Sequence, residues 1–339
     1  MLAWRDLDDP EAGGSERHAH EVLRRWADAG IDVTLRTSFA PNRPAIERRA
    51  GYRVIRRAGR YLVFPRAVAS ELAGRMGPRD AVVEIWNGMP FFTPVWSGVP
   101  HVVWLHHVHA EMWQQSLPRH LARVGSTIEL KLAPPLYRRA SIVTLSDSAK
   151  AEIVRRLRVP HTRVHVVPPG IDPAFSPGGA RWPRPLVLGV GRLVPVKRFD
   201  ALIDQLVRVK ELVPELEARI VGEGYERPRL EQQIESLGAS PWLQLVGRVR
   251  EHELIDLYRQ AWVLTGASSH EGWGMTVTEA AACGTPAVVS NCTGHRDAVV
   301  EGRTGLLATD DRDLGDLLVQ ILLDQGLRER LAAGALERA

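Results

Sequence analysis

The second half of the chain alternates short apolar runs with segments whose apolar residues recur at helical spacing. One such segment, Phe199–Leu212, places Leu202, Leu206 and Val209 along one side, which predicts a helix. Alternating strands and helices are typical of a parallel sheet with helices on both faces, so this half is predicted to be a doubly wound α/β domain. The strands are predicted at Leu186–Val190, Ala218–Gly222, Leu243–Gly247, Trp262–Gly266, Ala287–Ser290 and Thr304–Ala308.

The first half repeats this pattern less regularly. Ser15–Ala29 predicts a helix, and strands are predicted at Ile31–Thr37, Val82–Ile85, Val102–Leu105 and Ile142–Leu145. The segment between the halves is dense in Pro and Gly, which favours a linker. We therefore expect an N-terminal Rossmann-like domain at residues 1–168, a linker at 169–185 and a C-terminal Rossmann-like domain at 186–339.

Composition places the chain among globular proteins with ordinary cores, at 45% hydrophobic and 25% charged residues. No apolar run reaches the ~18 residues of a membrane-spanning helix, and Met1–Trp4 runs directly into the charged segment Arg5–Asp9 without a signal peptide. Two cysteines, Cys283 and Cys292, are too few for a disulfide framework and are expected to be free thiols. These features predict a cytoplasmic protein.

Positive charge is concentrated in residues 43–79, which contain ten arginines and two glutamates. Such a segment attracts nucleic acid, anionic lipid or a phosphorylated acceptor, although it can also be a merely solubilising face. No helix-turn-helix, RRM or KH signature occurs, so nucleic acid is not expected as a partner. We expect the arginines, Arg56 and Arg57 among them, to favour peripheral contact with an anionic membrane on its inner face.

The segment His270–Glu279 joins an apolar run to the predicted helix Thr276–Ala282 through a Gly-x-Gly turn. Glycines let the backbone approach a phosphate, and the free N–H groups and dipole of a helix N-terminus favour its charge. Glu271 and Glu279 bracket this turn with seven residues between them, and carboxylates accept hydrogen bonds from hydroxyls. The pattern suits a nucleotide sugar; the alternative is two surface glutamates beside an ordinary turn.

This segment resembles the Glu-x7-Glu motif of retaining glycosyltransferases of the GT-B fold, family 4 in particular. The resemblance implies that Glu271 contacts the transferred sugar and that Glu279 contacts the ribose. It covers nearly the whole chain and is strongest over residues 186–308. It implies two Rossmann-like domains that face each other across a cleft. Both chain ends look shortened relative to the family's usual first strand and closing helices.

Two further segments resemble the family's phosphate-binding elements. Gly191-Arg192, with Lys197 five residues after the arginine, resembles the pair that grips the donor diphosphate. An arginine fork and a compact lysine charge both suit phosphate oxygens and would stabilise the leaving group, although two surface cations are the alternative. Gly13-Gly14 before the first helix resembles the loop that faces the diphosphate, while Ser15 could equally be a plain N-cap.

Three histidines follow the strand Val102–Leu105. Neighbouring strand residues point to opposite faces, so His106, His107 and His109 do not form one metal-ligating set. The family carries one histidine here, which touches the transferred sugar. Aligning the strand places it at His106; His107 competes for this role, and a buried, satisfied histidine is the further alternative.

The resemblance implies catalytic roles for His106, Glu271, Arg192 and Lys197. It implies that the strand ends at Gly222 and Val246-Gly247-Arg248 border the nucleotide base. The bare Asp311-Arg312-Asp313 triplet is read as a helix cap, so neither a metal nor a cofactor is expected. The predicted donor-binding residues are Gly13, Gly14, Gly191, Arg192, Lys197, Gly222, Val246, Gly247, Arg248, Glu271, Gly272, Trp273, Gly274, Met275, Thr276 and Glu279.

These residues predict a metal-independent, retaining glycosyltransferase that moves a hexose from a nucleoside diphosphate sugar. The acceptor is an unidentified glycan, lipid or small molecule, lipid-linked or anionic. Both glutamates are assigned to contacts with the donor, and neither is evident as a nucleophile. Front-face attack assisted by the leaving diphosphate is therefore favoured. Two rivals remain: a GT-B epimerase acting on the same donor, and a catalytically inactive nucleotide-sugar-binding protein.

Overall fold

The computed structural model describes residues 1–109, 112–116 and 118–339. The chain forms two compact units, Met1–Pro169 and Gly170–Ala339. Both units are built from short strands and helices in alternation.

The described residues of the first unit form seven strands and seven helices. The strands are β1 (Thr34–Thr37), β2 (Ile46–Arg49), β3 (Tyr52–Arg56), β4 (Val82–Ile85), β5 (His101–Trp104), β6 (Ser141–Thr144) and β7 (Val164–Val166). The helices are α1 (Gly14–Asp28), α2 (Val63–Leu72), α3 (Thr93–Trp96), α4 (Met112–Ser116), α5 (Arg119–Thr127), α6 (Ala133–Tyr137) and α7 (Asp147–Leu157), with a π-helical turn at Ile128–Leu132 and a 3-10 turn at His161–Arg163.

The strands of this unit form two groups. One has the order β1-β3-β2, with β2 antiparallel to β3, and the other is the parallel order β4-β5-β6-β7. Leu2 forms parallel bridges to Arg36 of β1 and to Glu84 of β4. The first residues of the chain therefore lie between the two groups and connect them by backbone hydrogen bonds.

Apolar core residues lie on both faces of the parallel group β4-β5-β6-β7. On β5 and just beyond it, Val103 and Leu105 pack into one apolar cluster, whereas Trp104 between them packs into the other. This period of two is the side-chain alternation of a strand. A strand buried on both faces reads as a continuous apolar run, which is why β5 was predictable.

Half of the ten arginines in segment 43–79 are paired with carboxylates inside the unit. Arg43, Arg49, Arg56, Arg60 and Arg79 each form an ion pair with a carboxylate. Arg56 is fully buried: its Nε lies 3.2 Å from Asp6 Oδ2 and its Nη2 lies 2.6 Å from Glu47 Oε1. Arg56 is therefore not exposed for the membrane contact expected of it, because an acidic segment at the start of the chain folds onto it.

The second unit contains six strands and seven helices. The strands are β8 (Leu186–Val190), β9 (Glu217–Val221), β10 (Leu243–Gly247), β11 (Val263–Gly266), β12 (Ala287–Ser290) and β13 (Gly305–Ala308). The helices are α8 (Phe199–Leu212), α9 (Arg227–Ser236), α10 (Glu251–Gln260), α11 (Met275–Ala282), α12 (His295–Ala298), α13 (Asp311–Leu323) and α14 (Gln325–Arg338), with a 3-10 turn at Pro195–Lys197.

All six strands form one parallel sheet in the order β10-β9-β8-β11-β12-β13. The chain winds outward from β8 to β10 and then returns to place β11 beside β8. This reversal is a topological switch point, where open α/β sheets bind ligands at the carboxyl ends of their strands. The loops after β8 and β11 therefore occupy the position expected for a site.

The segment predicted as a linker groups with the second unit from Gly170 onward. Arg181 donates hydrogen bonds to the backbone oxygens of Ala261 and Gly284, just beyond the ends of α10 and α11. Trp182 Nε1 donates to Glu217 Oε2 at 2.8 Å. Residues 170–185 are thus held to this unit by specific side-chain contacts. In the described part of the chain, no helix combines the length and hydropathy needed to cross a bilayer.

Candidate active site

The loops after β8 and β11 bring the predicted sugar and phosphate residues together. Lys197 lies in the 3-10 turn after β8, and Glu271 lies in the loop after β11. Ser269 N donates to Val196 O at 2.9 Å, so the two loops are bonded directly to each other. One pocket is lined by Lys197, Ser268, Glu271, Thr276 and other residues of these loops and strand ends.

Lys197 and Glu271 form an ion pair in this pocket. Lys197 Nζ donates to Glu271 Oε1, and Ser268 Oγ donates to the same oxygen at 2.7 Å. Both side chains are mostly buried, at 18% and 16% exposure. In the described part of the chain, both of these hydrogen bonds go to Oε1, so Oε2 can accept a hydrogen bond from a ligand hydroxyl.

The electrostatics of the pocket keep Glu271 ionised. Burial opposes ionisation, but the charges of Lys197 and His295 and the hydrogen bonds from Lys197 and Ser268 outweigh it and lower the pKa of Glu271 to about 2. A carboxylate with so low a pKa takes up a proton poorly at neutral pH. Glu271 is therefore suited to orient a ligand rather than to act as a general base.

His295 is a site residue that the sequence did not predict. It is 3% exposed, and its Nδ1 lies 3.0 Å from Ser290 O, which as a carbonyl can only accept a hydrogen bond. Nδ1 is therefore the protonated nitrogen, and Nε2 faces Glu271 Oε1 at 4.0 Å. Burial lowers the pKa of His295. No local motif signals this contact, because it depends on the adjacent turn at Gly294.

Gly294 brings the loop carrying His295 against Glu271. Its φ is +87°, and a Cβ there would lie 2.6 Å from the backbone oxygen of Glu271. Glu271 N also donates to Thr293 O at 3.0 Å. The approach of these two backbone segments requires a glycine, so the geometry of Glu271 is fixed partly from the loop after β12.

Three predicted glycines lie at adjacent strand ends. Gly191 follows β8, Gly222 follows β9 and Gly247 ends β10, and Gly222 N donates to Gly247 O at 2.9 Å. A Cβ on Gly222 would lie 1.8 Å from Gly191 O, so no other residue fits there. Val246 is 39% exposed beside this edge. Arg192 and Arg248 directly follow Gly191 and Gly247 in the chain.

The N-terminus of α11 lies within the predicted motif. Gly274, with φ +105°, is its N-cap, and Met275 and Thr276 form its first turn. Gly272 and Trp273 lie just before it, and Trp273 packs partly against the apolar cluster behind the sheet. The first N–H groups of a helix lack intrahelical partners, so this terminus can bind an anion.

Glu279, in the second turn of α11, is 8% exposed. Tyr258 OH donates to its Oε2 at 2.8 Å, and Tyr258 itself is fully buried. Tyr258 is a second residue that the sequence did not predict, since it lies on α10 at a position that reads only as core. The carboxylate that the resemblance assigns to the ribose is thus held by a fixed phenol.

In the first unit, the glycine-rich loop is held by a buried ion pair. Gly13 is the N-cap of α1, and its N–H donates to Glu16 Oε2 at 2.8 Å, so the alternative that Ser15 caps this helix is wrong. Arg5 Nε lies 3.2 Å from Glu16 Oε1, and both side chains are 6% exposed. Gly14 is the first helical residue. Arg5 and Glu16 together fix the start of α1.

His106 lies just after β5 and is 7% exposed. Burial and the nearby His18 lower its pKa to about 3, so the ring is neutral at physiological pH. Its Nε2 has no hydrogen-bond partner among the described residues. The His107 ring stacks on His109 instead, with centroids 4.7 Å apart. A buried polar atom without a partner suits His106 to a ligand contact, and His107 stays its competitor for that role.

The Asp311-Arg312-Asp313 triplet begins α13. Asp310 is the N-cap and accepts from Asp313 N at 2.9 Å, while Asp313 accepts from Thr309 N at 2.7 Å. Asp311 pairs with Arg198. The interpretation of this segment as a helix cap is confirmed. Within the described ranges, no group of three or more His, Cys, Asp or Glu side chains is arranged to hold a metal ion.

Solved structures with similar folds identify the architecture. Sucrose-phosphate synthase from Thermosynechococcus elongatus aligns with a TM-score of 0.83 and 21% identity, covering 99% of this chain and 92% of that one. WaaG, a glycosyltransferase involved in lipopolysaccharide biosynthesis, aligns with a TM-score of 0.79 and 18% identity, covering 100% and 94%. The fold is therefore that of the GT-B class, as predicted.

Sequence comparison identifies the family. Residues 12–175 match the profile of Glycosyltransferase Family 4, and residues 175–338 match that of Glycosyl transferases group 1. The chain belongs to the group 1 glycosyltransferases of family 4.

Curated relatives carry the name D-inositol 3-phosphate glycosyltransferase. That of Nocardioides sp. is 29% identical, with 98% of this chain and 83% of the relative aligned. That of Stackebrandtia nassauensis is 34% identical over 59% of this chain, and the match spans half of the relative's length.

Proposed function

We propose that the protein is a retaining glycosyltransferase that moves a hexose from a nucleoside diphosphate sugar without a metal ion. The observation that carries this proposal is the Lys197–Glu271 pair at the switch point of the second sheet. It places a cation, an ionised hydrogen-bond acceptor and the N-terminus of α11 around one pocket.

The second unit has groups that match the polar parts of the donor. Lys197 and Arg192 bind the diphosphate together with the first N–H groups of α11. Glu271 accepts a hydrogen bond from a hydroxyl of the transferred sugar through Oε2, and Glu279 accepts from the ribose. The family resemblance assigns a further sugar contact to His106 of the first unit, whose ring is neutral and whose Nε2 has no hydrogen-bond partner among the described residues.

The low pKa of Glu271 disfavours a general-base role and leaves the diphosphate as the group that takes the acceptor proton. A general base works best with a pKa near the operating pH, whereas Glu271 is held by Lys197 and Ser268 in its ionised form. In the proposed reaction, the acceptor oxygen forms a bond to C1 of the sugar as the C1–O bond to the diphosphate breaks. The acceptor proton passes to the leaving diphosphate oxygen, whose charge Lys197 and Arg192 stabilise.

The acceptor is proposed to be a hydroxyl-bearing, anionic molecule. Because curated relatives are named for inositol 3-phosphate, D-inositol 3-phosphate is the first acceptor to test. UDP-, GDP- and ADP-sugars form the donor panel. One solved structure with a similar fold, HepE of Anabaena, was determined in complex with UDP and glucose, so UDP-glucose is the first donor.

The test combines donor turnover with product stereochemistry. Each donor is incubated with acceptor or with methanol, and the anomeric configuration of the glycoside is read by NMR. Retained configuration, activity that survives EDTA and loss of turnover in Glu271→Gln would support the proposal. Inverted product, or activity abolished by EDTA and restored by manganese, would refute the proposed chemistry.

The two rivals give different results in the same assay. An epimerase converts the donor to its epimer without an acceptor. An inactive binding protein binds a nucleoside diphosphate but produces neither glycoside nor free sugar.

A further inference from the structure

A long helix in the first unit exposes apolar side chains that no other part of the described chain covers. α5, the π-helical turn and α6 are contiguous, and the junction residues Thr127, Ile128, Leu132 and Ala133 all have helical backbone angles. Residues 119–137 therefore form one continuous helix.

One side of this helix anchors it to the unit. Five of its buried residues recur at intervals of three, four, four and four, and they are Ala122, Gly125, Glu129, Ala133 and Tyr137; Pro134, next to Ala133, is also buried. An ordinary α-helix has 3.6 residues per turn, so repeated intervals of four would drift around the axis. The wider π-helical turn at Ile128–Leu132 offsets this drift and keeps the contact face aligned.

The residue preceding each buried one is apolar. We name Leu121, Val124, Ile128, Leu132 and Leu136 the exposed stripe. Leu121, Val124, Leu132 and Leu136 are 42%, 55%, 58% and 45% exposed. Because they share the spacing of the buried face, they lie in one row along the helix.

The charges around the exposed stripe have a single sign. The exposed cations of residues 118–140 are Arg119, Arg123, Lys131, Arg138 and Arg139. The only carboxylate in this range, Glu129, is fully buried and accepts hydrogen bonds from His109 N and Trp113 Nε1. The surface of the helix is therefore apolar along one row and cationic beside it.

We propose that the helix at residues 119–137 docks the protein onto an anionic membrane surface. Leucine and valine side chains would enter the boundary between head groups and acyl chains, while the flanking arginines and lysine contact lipid phosphates. The charge complementarity selects this occupant, since an apolar row on a helix whose own exposed charged residues are all cations matches anionic lipid. The membrane contact expected at residues 43–79 is thereby assigned to residues 119–137, and it does not depend on the proposed catalytic activity.

The test is co-sedimentation with vesicles. The full chain is mixed with vesicles of phosphatidylcholine and phosphatidylglycerol, or of phosphatidylcholine alone. We expect binding to the anionic vesicles that weakens with added salt. Arg119→Gln/Arg123→Gln/Arg139→Gln removes three cations and should lower the partition coefficient roughly 100-fold. Each cation near the membrane surface contributes a similar factor to the attraction between the protein and anionic lipid. Leu121→Gln/Leu132→Gln should weaken it on the order of tenfold at any salt concentration.

The matched control is Arg25→Gln/Arg48→Gln/Arg53→Gln, which removes three exposed arginines on α1, β2 and β3 of the same unit. It should change binding less than about twofold to threefold. Equal losses in the control and the test variant, or no binding of the wild-type chain to anionic vesicles, would overturn the proposal. A concentration-dependent dimer that Leu121→Gln/Leu132→Gln dissolves, without vesicle binding, would assign the stripe to a second copy of the chain instead.

Discussion

Replacement of Lys197 by alanine tests the proposed diphosphate site most directly. The lysine is 18% exposed, its Nζ contacts Glu271, and its stem packs across Gly191, where a Cβ would lie 3.4 Å from Lys197 Cε. A hydrogen bond to a charged group contributes about 1.5–3 kcal/mol. Lys197→Ala should therefore raise the Kd of the nucleoside diphosphate by about 10- to 150-fold.

The charge balance of the pocket pushes the result in the same direction. Without Lys197, the ionised Glu271 loses the cation that most lowers its pKa, and its negative charge then repels the diphosphate. We therefore expect the upper part of the range. Lys197→Arg keeps the charge and should recover a substantial part of the affinity.

The measurement is isothermal titration calorimetry at neutral pH, with thermal unfolding to confirm that each variant is folded. The matched control is Lys210→Ala on α8. Lys210 Nζ donates its hydrogen bonds to the backbone oxygens of Pro214 and Leu216. Unchanged affinity in a folded Lys197→Ala variant, or an equal loss in Lys210→Ala, would refute the reasoning.

Three further perturbations probe single contacts. Because the pKa of Glu271 is lowered from 4.5 to about 2, its stabilising contribution is present above the unfolded pKa and is lost as the pH falls toward 2. Denaturant unfolding should therefore show that Glu271→Gln flattens this acid decline, and an unchanged slope would contradict the shift. Tyr258→Phe removes the hydrogen bond to buried Glu279 and should lower the free energy of unfolding by about 1–3 kcal/mol, whereas equal stability would show that the contact contributes nothing. Arg56→Ala should cost about 3–5 kcal/mol because it removes the fully buried cation that pairs with buried Asp6 and half-buried Glu47, while exposed Arg57→Ala should change stability little; similar losses in both would refute the buried network.

Much of the second unit was predictable because its central strands β8, β11 and β12 are buried on both faces, while the edge strand β10 is bounded by glycine and alternates in burial. Leu186–Val190, Leu243–Gly247 and Ala287–Ser290 agree with the structure residue for residue, and α8 begins and ends where its apolar spacing predicts. Buried parallel strands read as apolar runs, and glycine or proline marks their ends. Local sequence therefore carries most of the information about this sheet.

The β2–β3 hairpin escaped prediction because its sequence is dominated by arginine. Residues 46–56 contain Arg48, Arg49, Arg53 and Arg56, which hide the buried apolar residues Tyr52, Val54 and Ile55. The arginines were instead read as surface charge. A count of charges cannot detect that Arg56 meets Asp6, fifty residues earlier in the chain.

In the candidate site, too, some residues are predictable from local sequence and others are not. The glycines and Glu271 are predictable from a local motif, since a backbone that approaches a phosphate needs residues without Cβ atoms. His295, Ser268 and Tyr258 do not, because each acts on a glutamate through a contact that only the folded sheet creates. Sequence alone therefore identifies the residues that face the ligand better than those that hold them.

The two units use their cations differently, and this difference bears on function. In the first unit, Arg49 and Arg56 form ion pairs with Asp6, Asp8 and Glu47, so their charges are neutralised within the fold. In the second, Lys197 has a single carboxylate partner in a pocket at the strand ends. A diphosphate can compete for a lysine with one partner far more readily than for an arginine held by several carboxylates. The cation most suited to ligand binding is therefore the one at the switch point, where the glycines also give access to the backbone.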